Sequence, residues 1–365
     1  MEIRLNRIEF QNELVPMQGI VERRTTIPIL SHLLLHAVGD RLRIAATDLD
    51  VSLESWCEGE IQEEGAIAIQ AKKLYEIIRA SASEDLILRI DQEGVLSIVA
   101  GKSRFKIHGL PAEDFPTLPT LEEEDPIEFA IGDLRAMIAK IIFAISHEES
   151  RFQLGGALMR FDDGVLALVA TDGHRLSLVE RNVEGLEARD SVLVPKKVMQ
   201  ELQRFEGEDD VQFVCGDHHL AFTVGRRKLT CRILEGAFPD YERVISRDHD
   251  KHVFFERKAL TGVFQRVSLL TGDRIRAVRL ELRSGQLVLS AANPDLGEAT
   301  EEIACDYDGP DISLGVNPDY LIQFMGATDS EMVRLEFKDS QSQCIAHPVE
   351  GPDREYMTVI MPVRL

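Results

Sequence analysis

Three times along the chain, at intervals of 124 and then 122 residues, a strand-like run ends on a small residue and a polar turn. The turns read Ala46-Thr47-Asp48, Ala170-Thr171-Asp172 and Ala292-Asn293-Pro294. A second marker, the opening of a short amphipathic helix, keeps the same two spacings at Lys72-Lys73, Lys196-Lys197 and Pro318-Asp319. An extended segment closes on Phe115-Pro116 and again on Phe238-Pro239. Solenoid repeats run to about 20–50 residues, so a period this long marks whole domains. A chain of 365 residues also exceeds what one hydrophobic core holds. The repeats place domains at 1–122, 127–246 and 251–365, joined by the turn-rich linkers Pro119 to Pro126 and Ser246 to Lys251. Alternating runs such as Arg41-Leu42-Arg43-Ile44 and Gln286-Leu287-Val288-Leu289 suit half-buried antiparallel strands. Each repeat therefore reads as an α+β domain with its helices on one side of an antiparallel sheet.

Charge sets the next constraint. With 41 basic against 63 acidic residues the chain carries −22, which disfavours DNA unless the positive charge is segregated. Six predicted helices, 9–24, 71–81, 131–143, 195–205, 255–270 and 317–327, are together net positive, and the remainder holds the acidic excess. In the second of these, Lys72 and Arg79 lie opposite Leu74, Ile77 and Ile78. Lys196 and Lys197, and then Lys258, occupy comparable faces in the later repeats. No apolar run approaches the roughly 20 residues of a membrane span, and Met1 to Phe10 alternates charged and apolar residues, so a cytoplasmic protein without membrane partners is expected.

The five cysteines are widely spaced and form no CxxC, so neither zinc nor a disulfide framework is expected. No P-loop, HExxH or dinucleotide fingerprint appears, and neither cofactor nor metal is predicted. Asp172, His174 and Ser177 invite a hydrolase reading. They are crowded into six residues without a nucleophile elbow, so no catalytic residue is assigned. Asp48-Leu49-Asp50 reads as a turn, because its repeat equivalents are Asp172-Gly173-His174 and Pro294-Asp295-Leu296. An acidic protein-binding scaffold that never encircles DNA is the other alternative.

Five motifs, in order along the whole chain, carry a resemblance. They are Thr26-Ile27-Pro28-Ile29-Leu30-Ser31, Leu110 to Pro116, Ala170-Thr171-Asp172-Gly173-His174-Arg175-Leu176, Phe238-Pro239-Asp240-Tyr241 and the terminal Met361-Pro362-Val363-Arg364-Leu365. Together with the triplication they resemble the bacterial DNA polymerase III beta subunit, the sliding-clamp family. The resemblance implies a homodimer closed head to tail into a six-domain ring, with sheets outside and paired helices lining the hole. It implies a processivity factor that encircles duplex DNA without sequence specificity. Its partners would be a DNA polymerase catalytic subunit, an ATP-driven clamp loader and other proteins bearing a clamp-binding motif.

By the same resemblance, a peptide pocket between domains 2 and 3 is lined by Leu154, Thr171, Gly173, His174, Arg175, Leu176, Pro239, Arg243, Val244, Val359, Met361, Pro362, Val363, Arg364 and Leu365. Phe105 and Ile107 would meet Leu269 and Leu270 of a second protomer. Leu269 falls about 180° around its predicted helix from Leu260, which also calls for a partner. Candidates to face DNA are Arg24, Lys72, His147, Arg151, Phe152, Gln153, Lys196, Lys197 and Lys258. Phe152-Gln153 stands where some members carry two tyrosines, Ser246 where many have proline, and Val363 where some have methionine.

Overall fold

In the computed structural model, residues 1–22, 26–91, 94–121, 126–205, 207, 209–272 and 276–364 are described. They form two compact units: Met1–Leu134 with Lys197–Ile233, and Arg135–Lys196 with Leu234–Leu365. Among the described residues are six α-helices: α1 (Arg7–Ile20), α2 (Ala71–Ala80), α3 (Ile131–Ile141), α4 (Lys196–Leu202), α5 (Arg257–Val267) and α6 (Pro318–Gly326).

Their boundaries follow local chemistry. Helix α1 starts two residues before the predicted position, because Asn6 Oδ1 accepts the Ile8 and Glu9 amides at 2.9 and 3.1 Å. Its apolar positions Phe10, Leu14, Met17 and Ile20 are fully buried, and it packs on α2, which buries Leu74 and Ile78. In the second unit α5 turns Leu260, Val263, Phe264 and Val267 inward and packs on α6. Helix α5 ends at Val267, and Ser268–Leu270 tighten into a 3₁₀ turn. Contrary to the expectation from the sequence, Leu269 therefore does not lie opposite Leu260 on one continuous α-helix. Leu269 is nevertheless 75% exposed and Leu270 half-buried.

Sheets explain why the units cut through the middle repeat. The first unit holds an eight-stranded antiparallel sheet in the order Ile127–Ala130, Asp210–Cys215, His219–Val224, Arg227–Arg232, Val51–Glu58, Arg41–Thr47, His32–Val38 and Gly65–Gln70. Four strands come from the middle repeat and four from the first. The seam pairs Thr230 with Ser52 and Lys228 with Glu54. The second unit repeats the plan: Arg189–Pro195, Gly156–Asp162, Val165–Thr171, Arg175–Asn182, then Glu355–Ile360, Cys344–Pro348, Met332–Phe337 and Lys251–Glu256. Here the seam pairs Leu176 with Val359 and Leu178 with Met357.

Each repeat thus supplies two half-sheets, and among the described residues two of the six pair with no half-sheet of another repeat. One is the first repeat's five-stranded sheet, whose edge is Ser103–His108. The other is the third repeat's four-stranded sheet, whose edge is Gly297–Ala304.

The repeated polar turn is built alike in the first two repeats. Asp48 Oδ1 accepts the Asp50 and Val51 amides, as Asp172 Oδ1 accepts those of His174 and Arg175. Thr47 and Thr171 each donate to a backbone carbonyl four residues on. Both turns need one left-handed residue, which is Leu49 (φ 82°) in one and Gly173 (φ 88°) in the other.

Candidate functional site

In the second unit, strand alternation sorts the sheet into two faces. Toward the helices point Arg175, Ser177 and Tyr356. Ser177 Oγ donates to the Lys140 carbonyl of α3, and Tyr356 stacks on Phe324 of α6 at 5.3 Å. The opposite face carries Leu176, Leu178, Met357 and Val359, which join Val169 and Ile345 in one buried apolar cluster. The connection Phe238–Ile245 lies over this cluster, with Tyr241 buried in it and Phe238 and Ile245 packed against it. Val244 (36% exposed) and Met361 (40% exposed) form an apolar rim. The C-terminal tail is held beside them by the Met361 amide to the His174 carbonyl, 2.9 Å, and the Val363 amide to the Gly315 carbonyl, 2.8 Å.

The sequence-named residues differ in exposure. Leu154, Thr171, Leu176 and Val359 are buried, Pro362 and Val363 half-buried, and Gly173, His174, Pro239, Arg243 and Arg364 exposed. Arg243 pairs with Asp240 at 2.7 Å. Arg175 is buried, and its guanidinium is fully engaged inside the unit. It binds Asp172 Oδ2 at 3.1 Å, donates to Gln323 Oε1 and the Phe143 carbonyl, and stacks 4.3 Å from the Tyr320 ring. Burial pulls its pKa below the usual arginine range, against the neighbouring Asp172. Its part is to hold the turn that presents Gly173 and His174. Sequence reasoning missed Phe143, Tyr320 and Gln323 because no local signal ties them to a turn more than a hundred residues away, or, for Phe143, on another element. Leu365 lies outside the described residues.

The loop assigned to DNA meets the same site. A Cβ on Gly173 would stand 2.8 Å from the Arg151 guanidinium, and one on Gly236 would stand 3.4 Å from both Phe152 and Gln153. Phe152 and His147 are exposed, and Gln153 is half-buried.

The lysines divide. Lys72 and Lys258 are exposed near the starts of α2 and α5. Lys196 hydrogen-bonds the Ile145 carbonyl (3.3 Å) and His147 Nε2 (3.0 Å), and burial, then Arg175, lowers its pKa. Lys197 is tied to the Ile20 carbonyl (2.8 Å) and to Asp48. Arg24 lies outside the described residues.

The hydrolase arrangement is not assembled. Ser177 Oγ is buried on the helix side, bonded to the Lys140 carbonyl and Thr358, whereas His174 is exposed and Asp172 is occupied by backbone amides and Arg175. Among the described residues no group of three or more His, Cys, Asp or Glu side chains could hold a metal ion. Among the described residues no helix is long and apolar enough to cross a membrane.

Comparison with known proteins accounts for the whole chain. Models of the N-terminal, central and C-terminal domains of the DNA polymerase III beta subunit match residues 1–119, 129–240 and 242–364. The beta sliding clamp of Pseudomonas aeruginosa is 38% identical over 364 residues, covering 96% of this chain and 97% of that one. That of Caulobacter vibrioides is 35% identical with both chains covered fully. Crystal structures of the P. aeruginosa and Bartonella birtlesii clamps bound to griselimycin superpose with TM-scores of 0.94 and 0.95, at 35% and 32% identity and full coverage of both chains. The chain belongs to the bacterial DNA polymerase III beta-subunit family, the beta sliding clamps, which are non-catalytic processivity factors of DNA replication.

Proposed function

We propose that this chain works as a cytoplasmic, non-enzymatic ring of two protomers joined head to tail, with three domains each at 1–122, 127–246 and 251–365. The observation that carries the reading is the pair of half-sheets left without a counterpart. Two seams within the chain join a half-sheet of one repeat to a half-sheet of the next, and the two leftovers are of the complementary kinds. A heterologous contact of this sort closes only if the rotation closes, and the family relationship implies closure after two copies.

Repeat equivalence also gives the register of that third seam. Strand Arg227–Arg232 shifted by 124 residues is Ser103–His108, and Val51–Glu58 shifted by 246 is Gly297–Ala304. The pairs Cys231–Val51, Thr230–Ser52 and Lys228–Glu54 then become Ile107–Gly297, Lys106–Glu298 and Arg104–Thr300. Phe105 and Ile107 fall on the helix side, where Leu269 and Leu270 of the neighbour would cover them. Lys106 and Glu298 fall opposite each other on the other face as an ion pair.

Retention on DNA is topological, so weak contacts from Lys72, Lys258 and the His147–Gln153 loop suffice, and strong ones would arrest sliding. The acidic exterior disfavours spontaneous loading and calls for a loader that opens the ring. The apolar cluster with its rim of Val244, Met361, Pro362 and Val363 suits a short peptide with apolar anchors, the means by which polymerases and the loader attach. The test is retention on nicked circular DNA after gel filtration, with loader and ATP, before and after one cut of the circle. Release on cutting supports the ring, retention on both forms makes it an ordinary DNA binder, and binding to neither favours the acidic scaffold.

A further inference from the structure

Beyond the apolar cluster, the same sheet face continues into charge. The row Leu158, Val169, Leu178 and Met357 is apolar across four strands, and the next row of the same face reads Arg160, Ala167, Glu180 and Glu355. Here a cavity of about 740 Å³ opens, lined among others by Arg160, Glu180, Arg247, Arg334, Arg354 and Glu355. Arg160 is already engaged, pairing with Glu180 at 2.9 Å, Asp162 at 2.8 Å and Glu242 at 3.3 Å and donating to the Tyr241 hydroxyl of the apolar cluster. Glu355 faces Glu180 directly across the strand pair, a like-charge juxtaposition that costs free energy. Among the described residues Glu355 makes no salt bridge, and burial, with Glu180 beside it, pushes its carboxyl above the usual range against the opposing pull of Arg247 and Arg354. Asp162, Asp163 and Glu350 add acid to the same cavity.

We propose that this cavity is a charge-reading extension of the peptide site, in which Glu355 takes a lysine or arginine side chain flanking the partner's apolar anchors. The inference rests on the peptide-docking reading given above. Four residues along a strand span about 13–14 Å from Leu176 and Val359 to the charged row, so an extended peptide anchored there reaches it about four residues beyond an anchor. A guest cation relieves the Glu180–Glu355 repulsion, whereas a guest carboxylate adds to it. Arg160 already neutralises Glu180, which leaves Glu355 as the group a guest would meet.

The experiment is fluorescence anisotropy on the full-length protein, using labelled peptides with identical leucine and phenylalanine anchors and lysine, alanine or glutamate as the flanking residue, about four positions beyond an anchor. The lysine flank is expected to bind about tenfold more tightly than the glutamate flank at low salt, the scale of one good ion pair. That ratio should shrink as salt rises and collapse toward one in Glu355→Gln. Flank-independent binding to the unaltered protein overturns the proposal, and so does a ratio that survives in Glu355→Gln. A preference for glutamate reassigns the cavity to Arg247 and Arg354 and overturns it equally. Failure of the alanine-flanked peptide to bind at all sinks the docking reading itself, and the inference with it.

Discussion

The two seams within the chain share a backbone plan and differ in what they show on the face away from the helices. At the first seam the positions in register are Ser52, Glu54, Thr230 and Lys228. At the second they are Leu176, Leu178, Val359 and Met357. Backbone pairing is thus indifferent to these side chains, because ladder hydrogen bonds use only main-chain groups. The side chains decide whether the seam merely joins two domains or also offers an apolar floor. The difference supports the proposal that a peptide docks at the second seam and not at the first. It also locates that distinction in four residues.

Copying the first seam into the second tests this most severely. Leu178→Glu reproduces Glu54 at a position that is 3% exposed beside Val169 and Met357. Burying a carboxylate there should cost about 3 kcal/mol or more and abolish peptide binding. A denaturation midpoint unchanged from the natural protein, with peptide still bound, would show that the apolar row is not the floor of the site.

The third seam extends the comparison to a second protomer. Lys106→Glu places a carboxylate opposite Glu298 in the inferred register and should weaken dimerisation by about 1 kcal/mol per interface, near the upper end for an exposed cross-strand pair. Combining it with Glu298→Lys should restore the dimer. Sedimentation velocity across a dilution series reads both, and an unrescued double variant would reject the register while leaving the ring itself untouched.

Much of this was legible before any coordinates. The helices are local signals carried by amphipathic spacing, and the triplication shows in recurring turns such as Thr171-Asp172. What could not be read was continuity: nothing near Val51–Glu58 announces that its neighbour is Arg227–Arg232, since register depends on contacts far apart in sequence. The lysines show the same limit. Lys72 and Lys197 belong to equivalent dipeptide motifs, yet Lys197 is held by Asp48 and the Ile20 carbonyl, which only the fold brings near. Arg175 is placed in the pocket by the resemblance alone. Its partners Gln323, Tyr320 and Phe143 come from elements whose patterns carry no trace of it.

A smaller effect separates the seams at one hydroxyl. Thr230 is buried, and its Oγ1 has no hydrogen-bond partner among the described residues. The matching residue of the second seam is Val359. Thr230→Val keeps the shape and removes a buried unsatisfied group, so it should stabilise the first unit by about 1 kcal/mol. A lowered melting temperature would mean that the hydroxyl does make a bond, through water or otherwise.

The smallest contrast lies in the turns. Leu49 and Gly173 hold equivalent left-handed positions, and only glycine adopts that conformation without steric cost, which for other residues is about 1–2 kcal/mol. Leu49 is 54% exposed, so removing its side chain sacrifices little apolar burial. Against the relief of strain stands the extra freedom glycine gives the unfolded chain, about 0.4–1 kcal/mol. The balance predicts that Leu49→Gly stabilises the first unit by roughly 0.5 kcal/mol, while Gly173→Leu meets both the strain and the Arg151 guanidinium 2.8 Å from its Cβ. Denaturant titration of the two variants should therefore give opposite signs. If Leu49→Gly destabilises, the exposed leucine must be packing against something in the assembled ring, and dilution below the dimer's dissociation constant should then reverse the sign.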